Sequence, residues 1–414
     1  MPRVEYLDYT KSKSVESYIT LLVCALISFS VIKSALLIFL RSIIGSSQKI
    51  DVVIMYFILF IIIILSFQKI FSRTKIDAYW LFLFLFLYWV FALVFHGEYI
   101  EMIKNIGINL FIISFSSYVL ARSIRDYSLL LHYLQKTSIL GILALVVLLI
   151  FGKEAETIEQ NYSQWIGYSA LVMTIIIADL LFSRFSMYYL IITGTGLFLI
   201  ISAGSRGPLI CFSLYLVIKM IYIFASGQRK KVILSSIILI LLIIGLGEEK
   251  SVVVLQKMIS SQRLSNRVVQ QISDKTIFED SARVQLRAYS FDIISAHPII
   301  GVGIINDRVM LAEKMGTSPE EARGWYPHNI AIEFLVQYGT ILAVFLLSGI
   351  GILFIRAVKV STDNDFKNTI LIFFSVGVLP LLFSGSYLES PLFFAFLGFC
   401  MNSISISKNM NYSH

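Results

Sequence analysis

The sequence predicts an all-α, polytopic membrane protein with about 12 transmembrane helices and one large structured extracytoplasmic loop between helices nine and ten. Three observations predict this. Hydrophobic residues make up 57% of the 414 and charged residues only 14%. The apolar residues arrive in blocks near the roughly 20-residue length that a bilayer requires. One long polar stretch, 248–327, interrupts the blocks late in the chain and is too long to be a simple connector.

The first residues, Met1 to Glu16, are polar and basic and lack the short apolar core and cleavage site of a removable signal peptide. They read as a cytoplasmic tail. Apolar segments follow at 17–40, 52–67, 78–95, 107–121, 136–151, 165–182, 188–203, 208–226 and 232–247, and three more at 329–355, 368–385 and 389–406. The chain therefore divides into spans one to nine (1–247), the loop (248–328), and spans ten to twelve with a cytoplasmic tail (329–414).

Charge sets the expected orientation. With the N-terminus cytoplasmic, the inner connections are rich in Lys and Arg, while the short outer ones hold only Arg41, Lys49, Lys104, Lys153 and Arg206. That bias places the long loop outside the cytoplasm. It also accounts for the net charge of +8, so the basic balance does not point to nucleic acid. Cys24, Cys211 and Cys400 each sit in an apolar run without metal or redox spacing and read as packing residues.

Between spans seven and eight, Arg206 lies in the small-residue turn Gly204-Ser-Arg-Gly207-Pro208. Gly204 and Gly207 permit a tight turn, and Pro208 suits the start of a helix. Two roles fit Arg206: a snorkelling side chain at a helix end, or a planar donor fork for a phosphate. Within the loop, Lys/Arg and Asp/Glu are equal in number, so a ligand would be held by placement rather than bulk charge. Val252 to Gln271 has helical periodicity and suits either a surface-lying helix or one packed on the loop.

From Ser281 the apolar set Val284, Ala288, Phe291 and Ile294 or Ser295 predicts a helix packed on that face, with Arg283 and Arg287 one turn apart beside it. His297-Pro298 ends the helix. Gly301 and Gly303 then form a turn that lets the backbone approach a substrate closely. Ser318-Pro-Glu-Glu321 resembles a capping box with Pro at the first helical position, and Gly324 closes the short helix.

His328, where the loop meets span ten, is the candidate proton acceptor because imidazole titrates near neutral pH. A capping or structural histidine fits the same position. Asn329 is placed to orient the ring or bind a sugar hydroxyl. His297 at a helix end suits terminal carbonyls, and His96, His132 and His414 lie near span ends or the terminus. No metal-ligand spacing, phosphate-loop signature or Gly-x-Ser-x-Gly elbow is present. Glu333 and Glu389 lie near outer span ends, with no partner evident in the sequence.

Three motifs occur in order: Gly-Ser-Arg-Gly at 204–207, Arg283 before His-Pro-Ile-Ile-Gly-Val-Gly at 297–303, and Pro-His-Asn at 327–329 followed by Gly339. Together they resemble the O-antigen polymerase and ligase superfamily of bacterial envelopes, over the last half of the chain by motif and over the whole by span count. The resemblance implies a metal-independent, inverting glycosyltransferase without cofactor, acting at the outer face of the cytoplasmic membrane. Its implied partners are an undecaprenyl-diphosphate-linked oligosaccharide, membrane lipid and a chain-length regulator. It assigns catalysis to Arg206, Arg283 and His328. Arg287, which falls where relatives often carry an aromatic, joins Arg323, Tyr326, Asn329, Gly301 and Gly303 as a candidate substrate contact.

The favoured expectation is a polymerase of O-antigen or capsule repeat units. A ligase delivering glycan to lipid A core or another surface acceptor shares the donor chemistry. A lipid-linked-sugar transporter is the reading from another class, although transporters more often show repeated halves and broken helices at the midplane.

Overall fold

The computed structural model describes residues 14–28, 31, 32, 35, 48–96, 99–151, 162–203, 206–225, 227, 281–360 and 363–411. Among these, all regular elements are helical. They are α1 (Ser14–Ser28), α2 (Gln48–His96), α3 (Ile100–Ser123), α4 (Tyr127–Phe151), α5 (Tyr162–Ser183), α6 (Met187–Ser202) and α7 (Arg206–Ala225). After residue 280 come α8 (Ser281–Ala296), α9 (Asn306–Lys314), a 3₁₀ turn (Pro319–Gly324), α10 (Ile330–Val360), α11 (Asn364–Gly377) and α12 (Pro391–Asn411).

Among the described residues, six helices are long and apolar enough to cross a membrane by length and composition: α3, Tyr127–Leu149 of α4, Gln164–Ser183 of α5, Gly207–Ala225 of α7, α10, and α11 continued to Leu382. The protein is an integral membrane protein. Shorter apolar helices cover Ser14–Ser28, Met187–Ser202 and Pro391–Ser403. The expected ninth span at 232–247 and the expected helix Val252 to Gln271 lie outside the described residues. Expected spans two and three are the two halves of α2, whose backbone leaves helical geometry only at Thr74 (φ −125°, ψ 17°).

The chain divides into two compact units. The first comprises 1–66 and 125–277. Within it α5 packs on α4, α6 and α7, and nearly every residue from Ala170 to Phe182 is buried. Here Asp179 of α5 meets α7: Lys219 Nζ lies 2.5 Å from its carboxylate and the Tyr215 hydroxyl donates to it at 3.2 Å. All three are buried, so inside the apolar stack these three polar groups satisfy one another.

The second unit comprises 67–124 and 278–414. Its centre is α12, which packs on α3, α10 and α11. At one end Arg122 bridges Asp77 (3.3 Å) and Asn402 (2.8 Å). The opposite end is built from the N-termini of α10 and α12, the C-terminal end of α11, and the segment 281–328. A π turn at Asn109–Ser114 interrupts α3 there, and the Ser114 hydroxyl donates to the Leu388 carbonyl at 3.3 Å.

Helix α10 is broken at Gly339 (φ 69°, ψ 177°). A break frees backbone groups that a buried site cannot leave unpaired. The turn after α8 satisfies them: Val302 N–H donates to Val336 O (2.9 Å), Gly303 N–H to Gln337 O (2.8 Å), and Thr340 N–H to Pro298 O (2.8 Å). The approach is close enough to require glycine on both sides. A Cβ on Gly339 would lie 2.1 Å from Ile299 O, and one on Gly301 (φ 74°) would lie 2.5 Å from Gly339 N.

The packed face of α8 differs from the expected one. Val284 and Phe291 are each 54% exposed, whereas Leu286, Ser290 and Ile293 are buried, and Leu286 and Ile293 join Leu311 and Val336 in a small core. Both stripes have helical spacing. The polar Ser290 belongs to the buried one because its hydroxyl bonds back to Leu286 O at 2.6 Å and needs no outside partner. Pro319–Gly324 does form a short helix, but the Ser318 side chain makes no cap hydrogen bond, so the capping box is not realised.

Gly339→Ala and Gly301→Ala are each expected to destabilise the protein by about 2 kcal/mol or more, since positive φ and backbone overlap act together. Melting of the detergent-solubilised variants checks this; an unchanged Tm for either would exclude the close approach.

Candidate functional site

Of the residues singled out in the second unit, Arg283, Tyr326, His328 and Asn329 gather around the N-terminus of α10. Asn329 caps that helix, its Oδ1 accepting from Ala331 N–H (3.0 Å) and Ile332 N–H (3.2 Å), and its Nδ2 donates to Leu382 O at 3.0 Å. Capping satisfies helix donors that otherwise lack partners. Both ends of the amide are thus used in holding the chain on either side of the site. Arg283, half-buried on α8, donates from Nη1 to the adjacent carbonyl, Phe383 O, at 3.4 Å. Arg283 and the residue following His328 therefore anchor to neighbouring carbonyls at the end of α11.

His328 adopts φ 54°, and only it and Ile305 among described non-glycine residues have positive φ. Such a conformation costs on the order of 1 kcal/mol and persists where surrounding contacts impose it. The contacts are visible: Pro327 is buried before it, Asn329 is pinned after it, and the Tyr326 ring lies 4.1 Å from the imidazole, centroid to centroid. Burial pushes the Tyr326 phenol up to about 12; Glu333 and Glu389 add to the rise, and Arg308 and Arg283 oppose it. Tyr326 thus stays a neutral phenol at physiological pH.

Arg287 and Arg323 are exposed. Arg323 Nε lies 3.5 Å from Glu389 Oε1, which gives Glu389 a partner that the sequence did not reveal. Gly301 and Gly303 meet the α10 backbone as described above. Arg206 is the first residue of α7, in the other unit; Gly204 and Ser205 lie outside the described residues. Pro208 falls in the first turn of α7, where its missing N–H is tolerated.

Beneath the site lies a polar cluster that sequence reasoning missed. Arg308 is fully buried on α9, as are Asp307 and Glu333. Arg308 donates to the Arg323 carbonyl and, at 3.1 Å, to Ser386 Oγ. It lies 3.9 Å from Glu333 Oε1, which accepts from Ser386 at 2.5 Å. Gln337 links Asp307 (2.8 Å) to the Tyr387 hydroxyl (2.6 Å). One signal did point here: a carboxylate in the first turn of an apolar span, Glu333, demands a buried cation. Among the described residues no group of three His, Cys, Asp or Glu side chains is placed to hold a metal ion.

Burial raises the Asp307 carboxyl above its ordinary range, although Arg308 and the Gln337 hydrogen bond oppose the rise. A raised folded-state value means that folding favours the protonated acid. This group therefore supports stability below the ordinary aspartate pKa and loses that support as pH rises through its raised value. Asp307→Asn should gain Tm relative to the parent as pH rises above the ordinary aspartate range near about 4; parallel melting profiles would show no shift. Asn329→Ala should cost roughly 1 kcal/mol through the lost cap, and Asn329→Ser should recover most of it in the same melting assay.

Comparison with known proteins adds one match. Residues 191–347 fit the family model described as O-antigen ligase, and the stretch includes Arg206, Arg283, Arg308 and His328. No curated protein matches the chain. Residues 191–347 are thus similar to the O-antigen ligase family, in line with the resemblance to the O-antigen polymerase and ligase superfamily carried by the motifs.

Proposed function

We propose that the chain is a polysaccharide polymerase of the cytoplasmic membrane, with its site on the outer face and both termini cytoplasmic. It transfers a growing O-antigen or capsule glycan from undecaprenyl diphosphate to the non-reducing-end hydroxyl of a lipid-linked repeat unit. The observation that carries this reading is the convergence of Arg283 and the His328 segment on the Leu382 and Phe383 carbonyls, inside a stretch matched to O-antigen ligase.

The chemistry asks little more of the protein than those side chains offer. The acceptor oxygen attacks the anomeric carbon of the donor sugar from the face opposite the diphosphate, and the bond to the diphosphate oxygen breaks with inversion. The hydroxyl proton passes to the His328 imidazole, and undecaprenyl diphosphate leaves with the bonding electrons. Arg206 and Arg283 stabilise the charge that develops on the departing diphosphate, where their planar forks match phosphate oxygens. Arg287 and Arg323 at the exposed rim, and Tyr326 with its neutral hydroxyl, are the proposed glycan and phosphate contacts. Asn329, Gly301 and Gly303 shape the backbone around them. A separate chain-length regulator is a proposed partner.

A second reading has a specific observation behind it, since the matched family is described as ligase. A ligase would use the same donor and the same three residues, but deliver the glycan to lipid A core or another surface acceptor.

The purified protein, reconstituted with the lipid-linked repeat unit of its own cell, should produce a ladder of lipid-linked oligomers without added metal. His328→Ala should lower turnover by about 100-fold or more. Arg283→Lys and Arg206→Lys should each lower it by at least about tenfold, because lysine keeps the charge and loses the fork. Glycan moved only to an added acceptor would favour the ligase. Sugar that merely crosses the bilayer would exclude both enzymes.

A further inference from the structure

Arg308 stands out as a charge buried where nothing in its own short helix explains it. Helix α9 carries Asp307 and Arg308 at its start, and an exposed nine-residue helix would turn both to water. Here both are fully buried. Ile305, at the head of α9, has φ 84° and ψ −53°, a conformation costly for a β-branched residue.

A buried arginine is costly unless partners replace its water, and Arg308 has them from three separate pieces of chain. Its guanidinium donates to the Arg323 carbonyl and to Ser386 Oγ. It sits beside Glu333, in α10 one turn and a half beyond His328. It also lies 5.0 Å from the centroid of the Tyr326 ring, within cation–π range. The same ring contacts His328 at 4.1 Å.

Resting on the glycosyl-transfer reading above, we propose that Arg308 is a positioning residue for His328, acting through Tyr326. The cation holds the ring by its face, and the ring holds the imidazole in its strained backbone conformation. The two unusual backbone angles, at Ile305 and His328, are then the two ends of one device. The first lies at the head of the helix that carries Arg308, and the second is the conformation that Arg308 and Tyr326 impose. Ser386 and Glu333 fix the guanidinium plane, so that lysine, a charge without a fork, cannot substitute.

The test uses the full-length protein in liposomes and reads two quantities. One is kcat and KM with the lipid-linked repeat unit. The other is the rate at which diethyl pyrocarbonate modifies His328, resolved from the other histidines by peptide mass, which needs no glycan transfer. Arg308→Lys should lower kcat by about tenfold or more with KM within about twofold, because a displaced base impairs the step and not substrate capture, and Tyr326→Leu, which also loses a proposed substrate contact, should lower kcat at least as much. Both should change the His328 modification rate several-fold. Tyr326→Phe, which keeps the ring, should leave that modification rate near the parent's.

Since Arg308 also contributes to folding, the Tyr326 variants carry the decision, at temperatures where melting shows each protein folded. Unchanged His328 reactivity in Tyr326→Leu would overturn the proposal, as would equal changes in the leucine and phenylalanine variants. Should the parent transfer no glycan, the functional reading fails, while the reactivity measurement still decides whether Arg308 and Tyr326 hold His328.

Discussion

The second unit depends on a break in one helix and the loop that closes it. Helix α10 is interrupted at Gly339, and three backbone hydrogen bonds to the Pro298–Gly303 turn replace those the break removes. In apolar surroundings such groups have no water to fall back on. The break and the turn therefore stand or fall together. The turn fixes where α8 ends and α9 begins, and so fixes Arg283 on one side and Arg308 on the other. A loop that would otherwise be tethered only at its ends is bonded through its middle to a long apolar helix.

On that frame the polar residues occupy two layers. The inner layer, from Asp307 through Gln337 to Tyr387 and from Arg308 through Ser386 to Glu333, is sealed from solvent. The outer layer holds Arg283, Arg323, Tyr326 and His328 at intermediate or full exposure. Tyr326 belongs to both, since its ring contacts the buried cation and the histidine. This division suits a site in which water-borne sugars arrive at groups whose orientation is set from below.

Much of this was legible in the sequence, and the part that was not has physical reasons. Apolar runs marked where described helices lie, six of them long and apolar enough to span, because a span must be long and uninterrupted. Pro298 stopped α8 where expected. The packed face of α8 was misjudged because Val284-Ala288-Phe291 and Leu286-Ser290-Ile293 repeat with the same period, and a serine that bonds its own helix looks polar from the sequence alone. Arg308 and the Asp179–Lys219 pair were missed for a related reason. Charges read singly appear to belong at surfaces, and only the fold brings Glu333 to one and α5 to the other. The turn glycines were expected to make room for a ligand, and in the structure Gly301 makes room for another part of the backbone.

The Asp179–Lys219 pair has a reach beyond its own surroundings. Arg206 opens α7 and Lys219 lies thirteen residues later, about 20 Å along the helix axis. Sliding α7 by a turn against α5, or rotating it by a quarter, would separate opposite charges in a place with no water to receive them. The pair thus works as a depth gauge: it sets the height and azimuth of α7 from within the stack, and with them the level at which the first residue of that helix emerges.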